Sequence, residues 1–168
     1  VLEKYFNWNG IGFDVGNIEK DHNWSAHRSS EFIQIDVTSR TFTRLLKHRI
    51  GNKVVDYISL DVDSGDINYA VETLKRIMDS GVFFKVMTLE HELNKHGLSV
   101  AGPTREILES AGYKMLFKNV TFLDGSPWED WWINPELMPY NDIMKISCEG
   151  LVYNECVERV KNFNWSKK

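Results

Sequence analysis

Short apolar runs and helical stripes alternate along the chain. Gly10–Val15 (GIGFDV) is short, apolar and carries an acid near its end. Phe32–Val37 (FIQIDV) alternates apolar and polar positions as a half-buried strand does, and it too carries an acid near its end. Ser39–Ile50 follows with Phe42, Leu45, Leu46 and Ile50 at helical spacing, opened by Thr38 or Ser39 as a cap. Val54–Val62 (VVDYISLDV) reads as a strand of nearly continuous apolar or β-branched residues. Ile67–Met78 reads as a helix, with Ile67, Ala70, Val71, Leu74, Ile77 and Met78 on one face and Gly81 closing it. Val82–Leu89 is a buried strand leading into Glu90. Pro103–Ala111 is a helix opened by Pro103 or Thr104 and closed by Gly112. Tyr113–Asn119 is a strand that Val120–Leu123 extends or pairs. Pro127–Pro139 reads as an ordered, Trp-rich loop, and Asp142–Phe163 as mostly helical with a break near Gly150.

Strands alternating with helices predict an α/β sheet wrapped by helices. Ligands of such sheets bind beyond the carboxyl ends of the strands. The residues there are Asp14, Asp36, Asp61 with Asp63, and Glu90 with His91. A carboxylate at an early strand end can accept both hydroxyls of a ribose, a role open to Asp14 or Asp36. Asp36 equally suits the cap of the following helix. Asp61, Asp63 and Asp66 crowd one turn, which demands a cation, strong donors or a helix N-terminus nearby. A calcium loop is excluded because Gly65 falls one place early and a strand precedes the segment. In Glu90-His91-Glu92-Leu93-Asn94-Lys95-His96 the histidines are five apart, where a zinc protease helix needs four. His91 suits a general base near neutral pH, or a structural imidazole bonded to a loop carbonyl. Trp128, Trp131 and Trp132 could stack on sugar rings, with Glu129 and Asp130 accepting from hydroxyls, or could pack into the core.

Composition narrows the field. The chain has 168 residues, 42% of them hydrophobic and 26% charged, which suits one domain spanning 1–168. A net charge of -4 and a pI of about 5.7 argue against a nucleic-acid partner. No apolar run reaches the roughly 18 residues of a membrane span. Two cysteines, Cys148 and Cys156, suit a reducing, cytoplasmic compartment rather than a disulfide framework. G-x-S-x-G, P-loop and C-x-x-C motifs are absent from the sequence.

Taken in order, WNGIGFDVG, FIQIDVTS, VVDYISLDVDSGD, FFKVMTLEHE, REILESAGYKMLF and WEDWW resemble the FkbM-like family of S-adenosylmethionine-dependent O-methyltransferases over about residues 2–137. The resemblance implies a class I methyltransferase (Rossmann-like) fold: a three-layer α/β sandwich whose mostly parallel sheet has an antiparallel last strand. It implies methylation of a hydroxyl, most readily on a sugar or glycan. Asp14 would then hold the cofactor ribose, Asp36 would lie near its adenine, and Asp61 would sit near its methionine end and the acceptor. Asp61, His91 and Asp63 become the catalytic candidates. Asp61, Glu90 and His91 become candidate ligands of a divalent ion such as magnesium or manganese. Asp63 replaces the family's usual Glu, and Ser64-Gly65 replaces Gly-Ala. A glycine-rich first strand is not evident, so the resemblance implies that it precedes Val1 and that the chain is truncated. Otherwise FDVGN is itself the first strand, with Gly16 at the turn and Asp36 on the ribose. The rival function is a carbohydrate-binding module built on the Trp128–Trp132 loop.

Overall fold

The computed structural model describes residues 3, 5, 7–16, 23–62, 68–138 and 142–165. In chain order the elements are β1 (Ile11–Asp14), α1 (Trp24–His27), β2 (Glu31–Gln34), α2 (Arg40–Arg49), β3 (Val54–Leu60), α3 (Tyr69–Asp79) and β4 (Phe83–Glu90). Then come α4 (Leu93–His96), α5 (Leu98–Ser110), β5 (Lys114–Thr121), β6 (Pro127–Ile133), a 3-10 turn (Ile143–Ile146), β7 (Cys148–Glu149) and α6 (Tyr153–Lys161).

The strands fall into two sheets. β1 and β2 form a parallel pair, and a mixed five-stranded sheet runs β3-β4-β6-β5-β7. This corrects the expected Rossmann-like three-layer sandwich with a single sheet. Among the described residues no ladder joins β1 or β2 to β3. The antiparallel strand is β6, which lies inside the sheet between β4 and β5, while the last strand, β7, is parallel to β5.

Most elements follow local chemistry. Ser39 caps α2, its hydroxyl accepting from the Phe42 amide at 3.2 Å, and Phe42 and Leu46 turn inward. α3 buries Ala70, Val71, Leu74 and Ile77, the stripe that the periodicity marks. α5 departs from expectation. It starts at Leu98, and Pro103 lies inside it. Proline lacks an N–H, which removes one helical bond. Just beyond it the Thr104 hydroxyl binds the carbonyls of Val100 and Ala101 at 2.9 and 3.2 Å. The 127–133 segment is a strand, not a loop. Pro127 occupies its first position, where a missing N–H is tolerated. The 142–163 segment is only partly helical. Gly12 lies close under Trp24: a Cβ there would come within 2.8 Å of the indole ring, which would have to shift.

Two apolar clusters line the faces of the large sheet. Phe42, Leu46, Leu74, Ile77, Phe84, Met87, Leu89, Leu108 and Trp132 form one, beneath α2, α3 and α5. Phe117, Val120, Ile133, Ile143 and Cys156 form the other, beneath α6. Side-chain alternation explains the division: Trp132 enters the first cluster while Trp131 and Ile133 enter the second. Among the described residues β3 contributes nothing to the second cluster, and Ser59 is exposed there.

Candidate active site at the strand ends

Strand register assembles the site. Leu60 pairs with Leu89 across parallel β3 and β4, which brings the next residues, Asp61 and Glu90, side by side. Glu90 pairs directly with Glu129 across antiparallel β4 and β6. Directly opposed residues share a face. Three carboxyl groups thus form one row across three adjacent strands. Asp61 is exposed, Glu90 half-buried and Glu129 5% exposed. The Trp131 indole nitrogen donates to Glu129 Oε1 at 2.5 Å.

Behind the row, on the same face, come Ser59, Thr88 and Trp131, and then Tyr57, Val86 and Ile133. The Tyr57 hydroxyl and Thr88 Oγ1 are 2.8 Å apart. Tyr153 packs edge-on against Trp131, with ring centres 5.6 Å apart. The row therefore opens onto hydroxyl groups and aromatic edges.

Crowding alters the acids. Burial pushes Glu90 up to about 8, aided by the hydrogen bond and charge of Asp61 and by the charges of Glu92 and Glu129. Burial likewise raises Glu129 to about 7 against the Trp131 hydrogen bond, with the charges of Asp130 and Asp61 adding. Both groups hold protons in the folded chain that they release when unfolded, between about pH 4.5 and the raised values. The native state binds more protons in that window, so stability falls as pH rises through it. The urea midpoint is expected to drop between about pH 5 and about pH 8, and Glu90→Gln to flatten the drop. A midpoint that rises over this range in the wild-type chain would contradict the assignment.

His91 does not join the row. It falls on the opposite face with Leu89 and Asp130, its side chain 0% exposed and its Nε2 3.3 Å from Asp130 Oδ1. Its ring nitrogens make no well-aligned hydrogen bond among the described residues, Asp130 being the neighbour of Nε2, and its amide donates to the Trp128 carbonyl at 2.8 Å. This corrects its placement as an accessible base. Asp61, Glu90 and His91 also do not form one ligand set, and no group of three or more His, Cys, Asp or Glu among the described residues is arranged to hold a metal ion. Asp130 is fully buried. It accepts from Arg105 Nε at 2.8 Å, Arg105 Nη2 at 3.1 Å and the Asn119 amide at 2.8 Å. Burial alone would raise this carboxyl, but His91, Arg105 and the Asn119 amide outweigh it and hold it below the usual range.

Asp14 and Asp36 lie together at the end of the small sheet, where the Ile35 amide donates to the Asp14 carbonyl at 2.7 Å. Asp14 Oδ1 accepts from the Gly16 amide at 2.7 Å. Asp36 Oδ1 accepts from the Thr38 amide and hydroxyl at 2.9 and 2.7 Å, and these bonds lower its pKa. Each keeps Oδ2 outside the described hydrogen bonds, as a ribose-binding carboxylate requires. Asp63 lies outside the described residues.

The tryptophans separate. Trp132 is 0% exposed and belongs to the core. Trp128 stacks on Phe122 with centres 4.6 Å apart. Trp131 alone borders the carboxyl row. The loop expected to carry a carbohydrate-binding module is instead an internal strand. Glu129 is the residue that sequence reasoning placed only beside the tryptophans. Its neighbours in the site come from positions 61 and 90, and no local pattern links the three. Comparison with family models, curated proteins and solved structures returned no match.

Proposed function

We propose that this chain transfers a methyl group from S-adenosylmethionine to a hydroxyl, most readily that of a sugar or glycan, with Asp61 of the carboxyl row as the proton acceptor. The observation that carries the reading is the register of Asp61, Glu90 and Glu129 at the carboxyl ends of β3 and β4. The sequence resemblance supports it. The Tyr57–Thr88 hydroxyl pair and Trp131 suit a hydroxylic acceptor with an apolar ring face.

When bound, the cofactor supplies an electrophilic methyl group on a sulfonium. Asp61, the exposed member of the row, accepts the hydrogen of the acceptor hydroxyl. Asp61 would take up that proton as the acceptor oxygen gains the methyl group, so that the oxygen would not be left with a positive charge. Glu90, bonded to Asp61, spreads the charge. Alignment of the reacting atoms supplies a large part of the rate. Asp14 and Asp36 would hold the nucleoside. Two thiols outside any disulfide, Cys148 and Cys156, agree with a cytoplasmic setting. No helix among the described residues is long and apolar enough to cross a membrane.

Calorimetric titration of S-adenosylhomocysteine into the chain tests the reading. Saturable binding is expected, and Asp14→Ala should weaken it about 10- to 100-fold through the lost charged hydrogen bonds. No binding at about 1 mM ligand would remove the proposal.

A further inference from the structure

The β5–β6 ladder is irregular where it matters for the site. Phe117 pairs with Trp131 and Val120 with Glu129. Two residues of β5, Lys118 and Asn119, therefore oppose one residue of β6, Asp130. This is a β-bulge, and bulges beside functional sites re-aim the strands that carry them. Asn119 sits in the left-handed region with φ 53°, a conformation that asparagine tolerates better than most residues.

One side chain spans the irregularity. Arg105, on α5, binds both oxygens of Asp130 and also donates through Nη2 to Asn119 Oδ1 at 2.6 Å. The Asn119 amide completes the triangle on Asp130 Oδ1. A bidentate guanidinium–carboxylate pair is directional as well as strong. Here both of its partners belong to the bulge. The residue of β6 just before Asp130 is Glu129, whose Oε1 is held by Trp131 Nε1.

We propose that Arg105 is a positioning residue for the carboxyl row: by clamping Asp130 to Asn119 it fixes the bulge that sets where β6 delivers Glu129. This inference rests on reading the row as the reactive site. Arg105 does not touch the row. It acts from the opposite face of the sheet, on the side of Leu89 and His91. Neighbouring contacts extend the clamp outward, since Asn119 Nδ2 donates to Glu149 Oε1 at 2.8 Å and so ties β7 to the same bulge.

The Trp131 indole proton reports the position of Glu129 directly. In a two-dimensional amide and indole spectrum of the full chain, Trp131→Phe identifies this signal among the six tryptophans. Glu129→Ala marks its unbonded position. Arg105→Gln is expected to move it at least halfway toward that position, and Arg105→Lys to move it less, because an ammonium cannot bridge both partners. A folded Arg105→Gln chain with an unmoved Trp131 indole would overturn the proposal. Should Arg105→Gln fail to fold, Asn119→Ala removes one corner of the clamp and is expected to shift the signal the same way. An unmoved signal there overturns the proposal equally. The readout needs no turnover. A shifted indole in a chain that binds no S-adenosylhomocysteine would uphold Arg105 and remove the methyl-transfer reading. Unchanged methyl transfer with an unmoved indole would do the reverse.

Discussion

Asp61→Asn is expected to lower methyl transfer about 10²- to 10⁴-fold, the usual contribution of a positioned general base. The substitution keeps the side chain's shape and removes its ability to take a proton. A hydroxyl is a weak nucleophile, and its proton must leave as the bond to carbon forms. Asp61 is the exposed member of the carboxyl row, so on the proposed reading an acceptor would meet it first. Its partner Glu90 is raised to about 8, by burial and then by Asp61 itself, and holds its proton at neutral pH. It is the poorer acceptor there. S-adenosylhomocysteine affinity, read by calorimetry, should change far less than turnover. Turnover within about twofold of wild type would take Asp61 out of the chemistry. His91 supplies the contrast. It is sealed from solvent beside Asp130, so His91→Gln should lower the urea midpoint without removing turnover from the fraction that remains folded.

Trp132→Ala is expected to destabilise the chain by about 3–5 kcal/mol, the range for deleting a large buried aromatic side chain. Trp132 is 0% exposed. It pairs with Met87 on one side and Met115 on the other, and it shares a cluster with Leu74, Phe84 and Leu108. Its removal leaves a cavity where three helices meet the sheet. Urea unfolding measures the loss as a change of midpoint at constant slope. A loss below about 1 kcal/mol would show that the neighbouring side chains collapse into the space. A tryptophan serving a ligand would behave differently: its removal would weaken binding and leave stability nearly unchanged.

Several individual elements were legible in the chain, although the expected architecture was not the one found. The stripe Ala70, Val71, Leu74, Ile77 marked α3, and Thr38 or Ser39 marked the start of α2, because helix periodicity and capping are local. β1 to β4 showed through their apolar and β-branched runs. Asp61 and Glu90 stood out because strand ends are visible where such a run stops. β6 did not show. Its seven residues, PWEDWWI, begin with proline and bury two adjacent acids, a pattern that neither alternates nor runs apolar. The early start of α5 was hidden by Pro103, whose usual place is the first turn.

Some properties were therefore settled by the sequence alone: the alternation of strands and helices, and the presence of acids where parallel strands end. The tertiary structure decided the division into two sheets, the insertion of β6 between β4 and β5, and the burial of Trp132 and His91. It also decided that Glu129, rather than His91, completes the row with Asp61 and Glu90. The reason is physical. Periodicity along a strand says which residues share a face of that strand. Which strand lies beside it, in which direction and in which register, depends on contacts between residues far apart in the chain.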